Sequence, residues 1–367
     1  MPQPKISIII PVYDVEEYLS ECLNSITGQT LEDIEIIIVN DASPDNSQKI
    51  IDEFAARDER IVSLTHPENK RQGAARNTGL KVATGEYIWF VDSDDSIELH
   101  ACEMLYNTAK RENVDVLFFS FLLYRSGPNG REIYPDKGSI PAKELLYEKF
   151  SLSGGHPGTS RKYWRQLLSN GSLDTPTTYI YQAESLTRIQ FREGVFHEDT
   201  DFAPKLFFAA RSIYGIHYTP YFYRRLREGS TTNAFAHERK DDLLQAAVEI
   251  LRFCAEKGFD QKHPLSQRGI DFLEIPLFEY PNAGGKQLRR QLHSTYKQLK
   301  QYSGQDDGVD DELWLRFARL RGTQKAKMIL KVCSKKLGLY PYLKPIGKGL
   351  HDWYQKRKRS KGSQNGS

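Results

Sequence analysis

The chain of 367 residues is 39% hydrophobic, 27% charged and 11% aromatic. That composition excludes disorder as a whole-chain description and supplies a sizeable core, two to three domains' worth, without disulfide or zinc staples. The net charge of +3 conceals an asymmetry: from Arg321 onward thirteen Lys or Arg face a single acid, Asp352, a balance of +12 that leaves −9 on residues 1–320, which reads as an enzyme body with a tether more than as a nucleic-acid-binding domain.

The opening Met1-Pro2-Gln3-Pro4-Lys5 runs into an apolar stretch too short for a signal peptide, so no leader is expected. Ile6–Ile10 is a β-branched run, and Glu16–Thr27 carries Leu19, Cys22, Leu23 and Ile26 at helical spacing. Glu35–Val39 predicts a second buried strand, followed by an amphipathic helix holding Ile50, Ile51 and Phe54. Ile61–Leu64 and Tyr87–Val91 predict two more strands around the segment Gln72–Val82, and Glu98–Arg111 reads as a helix. This alternation implies an α/β fold with a mostly parallel sheet covered on both faces. The longest apolar run, Val114–Tyr124, is broken by Asp115 and Ser120 and falls short of the roughly 18 residues that span a bilayer.

Ser126–Thr178 is rich in Gly, Pro and Ser and predicts loops and short helices that shape a variable substrate surface. A helix through Phe202, Leu206 and Phe207 and strands at Ser212–Tyr218 and Tyr221–Arg225 follow. Beyond Ala236 the pattern is helical, with Leu244, Val248 and Leu251 on one face and later Leu288, Leu292, Tyr296 and Leu299. The four cysteines, Cys22, Cys102, Cys254 and Cys333, are scattered singly, as in a reducing cytoplasm.

Four segments bear polar groups where open α/β sheets bind ligands, beyond the carboxyl ends of strands or at helix starts. Asp92-Ser93-Asp94-Asp95 follows an apolar strand; closely spaced carboxylates there can hold Mg²⁺ or Mn²⁺ shared with a phosphate, or can form a turn and N-cap. In Asn40–Ser47, Asp41 could accept from a base or ribose, whereas Asp45 and Ser47 suit capping. Asn69–Gly79 brings cations and small residues to a helix start, which could face a diphosphate or simply solvent. His197-Glu198-Asp199-Thr200-Asp201 opens another helix, where acids are stabilised by the dipole and one could serve as a general base.

In this order the four segments resemble the family-2 inverting glycosyltransferases with the GT-A fold. The matching text is Ile8-Ile9-Ile10-Pro11-Val12-Tyr13, then Val39 to Asp45, Gly73-Ala74-Ala75-Arg76-Asn77-Thr78-Gly79 and Phe90 to Asp95, extending through His197-Glu198-Asp199 to Tyr223-Arg224-Arg225 and Arg227-Glu228-Gly229-Ser230. The resemblance implies a GT-A, Rossmann-like body with a C-terminal helical extension, divided into a nucleotide-sugar half (1–120), an acceptor half with the catalytic base (121–235), a helical extension (236–310) and a basic amphipathic tail (311–367). It implies that Pro11, Tyr13 and Asp41 form the uracil pocket, with Arg76 close to the nucleotide. Asp92 would contact ribose or metal, and Asp94 would ligate Mg²⁺ or Mn²⁺. Asp199 would deprotonate the acceptor hydroxyl, Glu198 being the neighbouring alternative, and Arg224, Arg227 and Ser230 would lie near the diphosphate. The expected reaction moves a hexose or N-acetylhexosamine from a UDP-sugar, with inversion, to a glycan or polyprenyl-diphosphate-linked glycan in capsule, O-antigen or exopolysaccharide assembly. Thr177-Thr178-Tyr179-Ile180-Tyr181 departs from the family, which often carries Trp or Lys before this strand, so acceptor identity stays open.

In the tail, Lys327, Lys331 and Lys335 recur at every fourth residue beside Met328, Ile329, Val332 and Cys333, followed by Trp353, Tyr354 and Lys356-Arg357-Lys358-Arg359. This predicts attachment to an anionic surface, the cytoplasmic face of an inner membrane, or a solvated tail packed on the body. Two other classes fit the same residues: a non-catalytic nucleotide-sugar or polyanion binder, and a metal-dependent nucleotidyltransferase that would release pyrophosphate.

Overall fold

The structure, a computed structural model, describes residues 3–127, 130–133, 149–152, 162–165, 167–168, 175–186, 188–225, 239–259, 263–266, 268–269 and 272. The chain divides into two compact units, Met1–Asp242 and Leu243–Ser367.

In the first unit, β1 (Ile6–Val12), β2 (Ile34–Asn40) and β3 (Ile61–Thr65) alternate with α1 (Glu16–Thr27) and α2 (Ser47–Ala55), as the periodicity predicts. β1 and β2 are apolar but for Ser7, Glu35 and Asn40 and are buried on both faces apart from the half-buried Glu35, the signature of parallel strands covered by helices. β3, at the end of the sheet, is only partly covered. α1 turns Leu19, Cys22, Leu23 and Ile26 into the core.

α3 (Arg71–Val82) behaves differently, being buried around most of its girth. Its small residues permit this: a Cβ on Gly79 would stand 2.4 Å from Ile9 Cγ2, so helix and sheet approach too closely for any side chain. The text from Gly73 to Gly79 is therefore a packing solution as well as a site segment.

β4 (Tyr87–Phe90), β5 (Ser96–Ile97) and α4 (Ala101–Glu112) follow, and the apolar run from Val114 then divides into β6 (Val116–Phe118) and β7 (Phe121–Gly127). The stretch from Ser126, read as loops and short helices, begins with a hairpin instead: β7 pairs antiparallel with β8 (Gly130–Ile133), turning at Gly127 and Gly130. After it come β9 (Tyr179–Gln182), the short α5 (Ala183–Leu186), α6 (Asp199–Ala209), β10 (Ile213–Gly215) and β11 (Tyr221–Arg224).

A seven-stranded sheet runs β10-β6-β9-β4-β1-β2-β3 and a four-stranded sheet runs β5-β11-β7-β8. The large sheet is parallel except for β9, which pairs antiparallel with both β4 and β6. Three connections, β4 to β5, β6 to β7 and β10 to β11, carry the chain from the large sheet to the small one. The acidic loop Asp92–Asp95 is the first of them and so lies at the junction of the sheets. Trp89 anchors the junction from beneath, packing edge-on against Phe119 and donating from Nε1 to the Thr177 carbonyl at 3.0 Å. The helix α7 (Arg239–Glu256) begins four residues before the second unit and within that unit buries Val248 and half-buries Leu251; Leu288 to Leu299 and the tail lie outside the described residues.

Candidate active site

The parallel order of β4, β1, β2 and β3 sends their carboxyl ends to one rim, which carries Asp92, Tyr13, Asp41 and His66 in turn. Tyr13 is 45% exposed just past the buried Pro11, and Asp41 donates its N–H to Val12 O at 2.9 Å, so the three residues expected at a uracil pocket do converge. Asp41 is buried: its Oδ1 takes His66 Nδ1 at 2.6 Å and the Lys70 N–H at 2.9 Å. Asp45 does more than cap α2, since its carboxylate receives the N–H groups of both Ser47 and Glu16 and the Ser43 hydroxyl. Burial alone would raise the Asp45 carboxyl, but hydrogen bonds from Ser43, Ser47 and Glu16 outweigh it and hold it at about 2.

At the sheet junction, partly exposed Asp92 and Asp94 alternate with buried Ser93 and Asp95. Asp92 Oδ1 accepts from Arg76 Nη2 at 2.9 Å and Gln72 Nε2 at 2.8 Å, two side chains one turn apart on α3. Asp95 is occupied within the fold, taking the Tyr221 hydroxyl at 2.6 Å and the Arg224 N–H at 2.7 Å. Burial, reinforced by the charges of Asp94 and Asp92, pushes its carboxyl well up. The same Tyr221 oxygen accepts the Asp92 N–H at 3.1 Å, so β11 holds the acidic loop by two bonds through one hydroxyl.

No group of three or more His, Cys, Asp or Glu among the described residues is arranged to hold a metal. The donor set nevertheless fits a hard divalent cation, because Mg²⁺ is commonly bound through one or two carboxylates with substrate phosphate and water completing its shell. Two accessible carboxylate side chains on one loop provide that.

Arg224, expected near the diphosphate, has its guanidinium on the Asp94 carbonyl at 2.8 Å and on Glu21, between the rings of Tyr18 and Tyr124. It is buried and braces the acidic loop. Arg227 and Ser230 lie outside the described residues.

Arg76 is only 2% exposed and joins the two acidic segments: Nη2 on Asp92, Nη1 on Glu198 Oε1 at 2.7 Å. Burial would lower its pKa, but Asp92, Glu198 and Asp199 together raise it. Local sequence dictates how Glu198 comes so close. Gly73 leaves room for the facing segment, since a Cβ there would meet Arg192 O at 2.2 Å. Asn77 pins that segment by exchanging bonds with the Phe191 backbone, both at 2.9 Å. Phe191 stacks on Phe202 of α6 at 3.7 Å and meets Phe90 of β4 edge-on, tying helix, loop and strand into one apolar cluster. Asp201, with Arg192 and Lys205 both at 2.6 Å, is consumed in salt bridges.

Glu198 and Asp199 therefore meet different fates. Glu198 is buried and paired with Arg76. Asp199 keeps partial contact with solvent and, among the described residues, its carboxylate receives the Thr200 hydroxyl at a long 3.3 Å and its own backbone N–H, with no cation paired to it at salt-bridge distance. Dense protein around Asp199, then the Glu198 charge, push its carboxyl up to about 7, against the pull of Arg76. A carboxylate poised near neutrality is suited to taking a proton.

The sequence reading missed Gln72, Tyr221, Glu21 and His66. Gln72 was signalled by its four-residue spacing from Arg76; the others act across more than 20 residues of chain and leave no local pattern.

The model of the family described as "Glycosyl transferase family 2" matches residues 7–170. The chain is 31% identical over 297 residues to glycosyltransferase GlyA of Streptococcus pneumoniae, covering 81% of this chain but 40% of that protein. It is 30% identical over 257 residues to GlyG of the same organism, covering 70% of this chain and 82% of GlyG. The poly(ribitol-phosphate) beta-glucosyltransferase of Bacillus spizizenii is 37% identical over 187 residues, 49% of this chain and 28% of that one. Among solved structures, S. aureus TarS 1-349 in complex with UDP-GlcNAc superposes with a TM-score of 0.59 at 20% identity, covering 91% of this chain and 92% of that 1-349 chain, and so shares the fold. With GlyG matched along most of its length and the GT-A body in place, the chain belongs to glycosyl transferase family 2.

Proposed function

We propose that this chain transfers a hexose or N-acetylhexosamine from a UDP-sugar to a hydroxyl of a glycan or lipid-linked glycan, with inversion, in the assembly of a surface polysaccharide. The observation that carries this reading is the contrast between a paired Glu198 and an open Asp199 whose carboxyl sits near 7, across Arg76 from the acidic loop. Asp199 takes the proton of the acceptor hydroxyl as that oxygen bonds to the anomeric carbon; the bond from that carbon to the diphosphate breaks, and UDP leaves. Attack from the face opposite the leaving group inverts the centre and needs no covalent nucleophile. Asp92 and Asp94 would hold Mg²⁺ or Mn²⁺, which when bound supplies positive charge to the departing diphosphate. Tyr13 offers a ring to the base and Asp41 an acceptor, while Gln72 and Arg76 fix Asp92 in place.

Support for a UDP donor comes from the TarS complex with UDP-GlcNAc, which shares this fold. The name of the poly(ribitol-phosphate) beta-glucosyltransferase supports an acceptor that is a hydroxyl of a polymer. Among the described residues no helix is long and apolar enough to cross a membrane. Peripheral attachment through the basic residues after Arg321 on the cytoplasmic face is part of the proposal, since a lipid-linked acceptor is presented there. Calorimetry of UDP binding with Mn²⁺ and with EDTA, on the native chain and Asp94→Ala, tests the donor site. Binding that needs Mn²⁺ and disappears in the variant is expected; absence of UDP binding under every condition would overturn the reading.

A further inference from the structure

Resting on the uridine reading above, we infer that His66 is a positioning residue that sets nucleobase selectivity by fixing Asp41. His66 is the first residue past β3, and its own N–H is anchored on the Asn40 carbonyl at 2.8 Å. Its ring spans two elements, with Nδ1 2.6 Å from Asp41 Oδ1 and Nε2 2.9 Å from the Thr78 hydroxyl on α3. With the proton on Nδ1, the ring donates to the carboxylate and Nε2 accepts from Thr78, so every polar atom of the ring is used. The Lys70 N–H converges on the same Oδ1 at 2.9 Å. Both donors thus load one oxygen of a buried carboxylate and leave Oδ2 without a donor among the described residues.

That arrangement has a chemical meaning. A carboxylate turns freely about its last torsion, and only an oxygen held from behind presents its partner at a fixed place. Uracil offers an N–H at position 3, whereas cytosine offers an acceptor there. A fixed, acceptor-only Oδ2 rewards the first and gains nothing from the second. The diphosphate contributes equally to UDP and CDP, so discrimination between them rests on the base alone. Weakening the hold on Asp41 therefore lowers UDP affinity toward that of CDP and leaves CDP where it was.

The test is calorimetric titration of the full chain with UDP and with CDP in Mn²⁺, using His66→Phe, which fills the space without the bonds, His66→Asn, which retains an N–H near the Nδ1 position, and Thr78→Val. His66→Phe is expected to weaken UDP binding about tenfold with CDP unchanged, the loss of one hydrogen bond to a charged group. His66→Asn should recover all but about threefold, and Thr78→Val, which frees only the far nitrogen, should cost about threefold. A UDP-to-CDP preference unchanged in His66→Phe, or a parallel fall for both nucleotides, overturns the role of His66 alone. Where His66→Phe does not fold, Thr78→Val decides: a preference equal to the native one overturns the proposal. No UDP binding by the native chain overturns the uridine reading and this inference together.

Discussion

The rim of the large sheet and the start of α6 solve opposite problems with the same residue types. At the rim, acids are bound by neighbours: Asp41 by His66 and Lys70, Asp45 by Ser43, Ser47 and Glu16, Asp92 by Arg76 and Gln72. At α6, Glu198 is bound in the same way, but Asp199 beside it is left open in packed surroundings. The rim is built for rigidity, and at Asp45 its hydrogen bonds also hold a carboxyl down to about 2. The helix start keeps one carboxylate uncomfortable, and that discomfort suits it to the base role proposed above.

The sharpest way to break the contrast is to remove the open acid. Asp199→Asn is expected to lower transfer by about a thousandfold, within the range for loss of a general base, with UDP binding retained. In the native enzyme the rate should fall about tenfold per pH unit below about 7, because the raised carboxyl takes up a proton there and loses its function as acceptor. A native profile flat from pH 5 to 8 would refute Asp199 as the titrating base.

Removing the paired acid should act on stability first. Glu198→Gln leaves Arg76 buried with one anion fewer, at a cost of about 3 kcal/mol in denaturant unfolding. It also withdraws the charge that raises Asp199, so the acid limb of the rate profile should move to lower pH. A smaller effect is expected from Gly73→Ala, whose new Cβ must displace the Arg192 carbonyl: about 2 kcal/mol of stability, as in other overpacked sites. The smallest is at the rim. The Asp45 carboxyl is lowered to about 2 from 3.8 in the folded chain, so its stabilisation is complete above about pH 4 and lost as pH falls toward 2. Screening by solvent holds that contribution to about 1 kcal/mol, read as the difference between native and Asp45→Asn stability at pH 6 and pH 3.

The large sheet was legible because buried parallel strands and amphipathic helices write themselves as runs and periods: Ile6–Ile10, Glu35–Val39 and Leu19 to Ile26 all fall inside observed elements. Of the small sheet, β11 was legible as Tyr221–Arg225 but β5 and β7 were not. β5 is two residues long, and β7 continues an apolar run that began in another sheet, so neither has a period of its own. Among site residues, Asp92, Asp94, Glu198 and Asp199 stood out as acids at element boundaries. The partner of each did not, because Arg76 could as well have faced solvent, and nothing near Arg224 in sequence says that its guanidinium ends on Glu21 and the Asp94 carbonyl. Pairings that close over a hundred residues of chain are tertiary facts, written only in the fold.

The double hold of Tyr221 on the acidic loop also orders events in time. Asp92 and Asp95 are made 129 and 126 residues before the hydroxyl that they share. At a synthesis rate of about 5–20 residues per second, the loop waits roughly 6–25 s on the ribosome before its brace exists. The rim that carries Tyr13, Asp41 and His66, complete within the first hundred residues, can assemble during that interval. A nascent chain would thus acquire the proposed donor surface first and the braced acidic loop last, and a product truncated before β11 would retain the rim while leaving Asp95 without the partners that hold it.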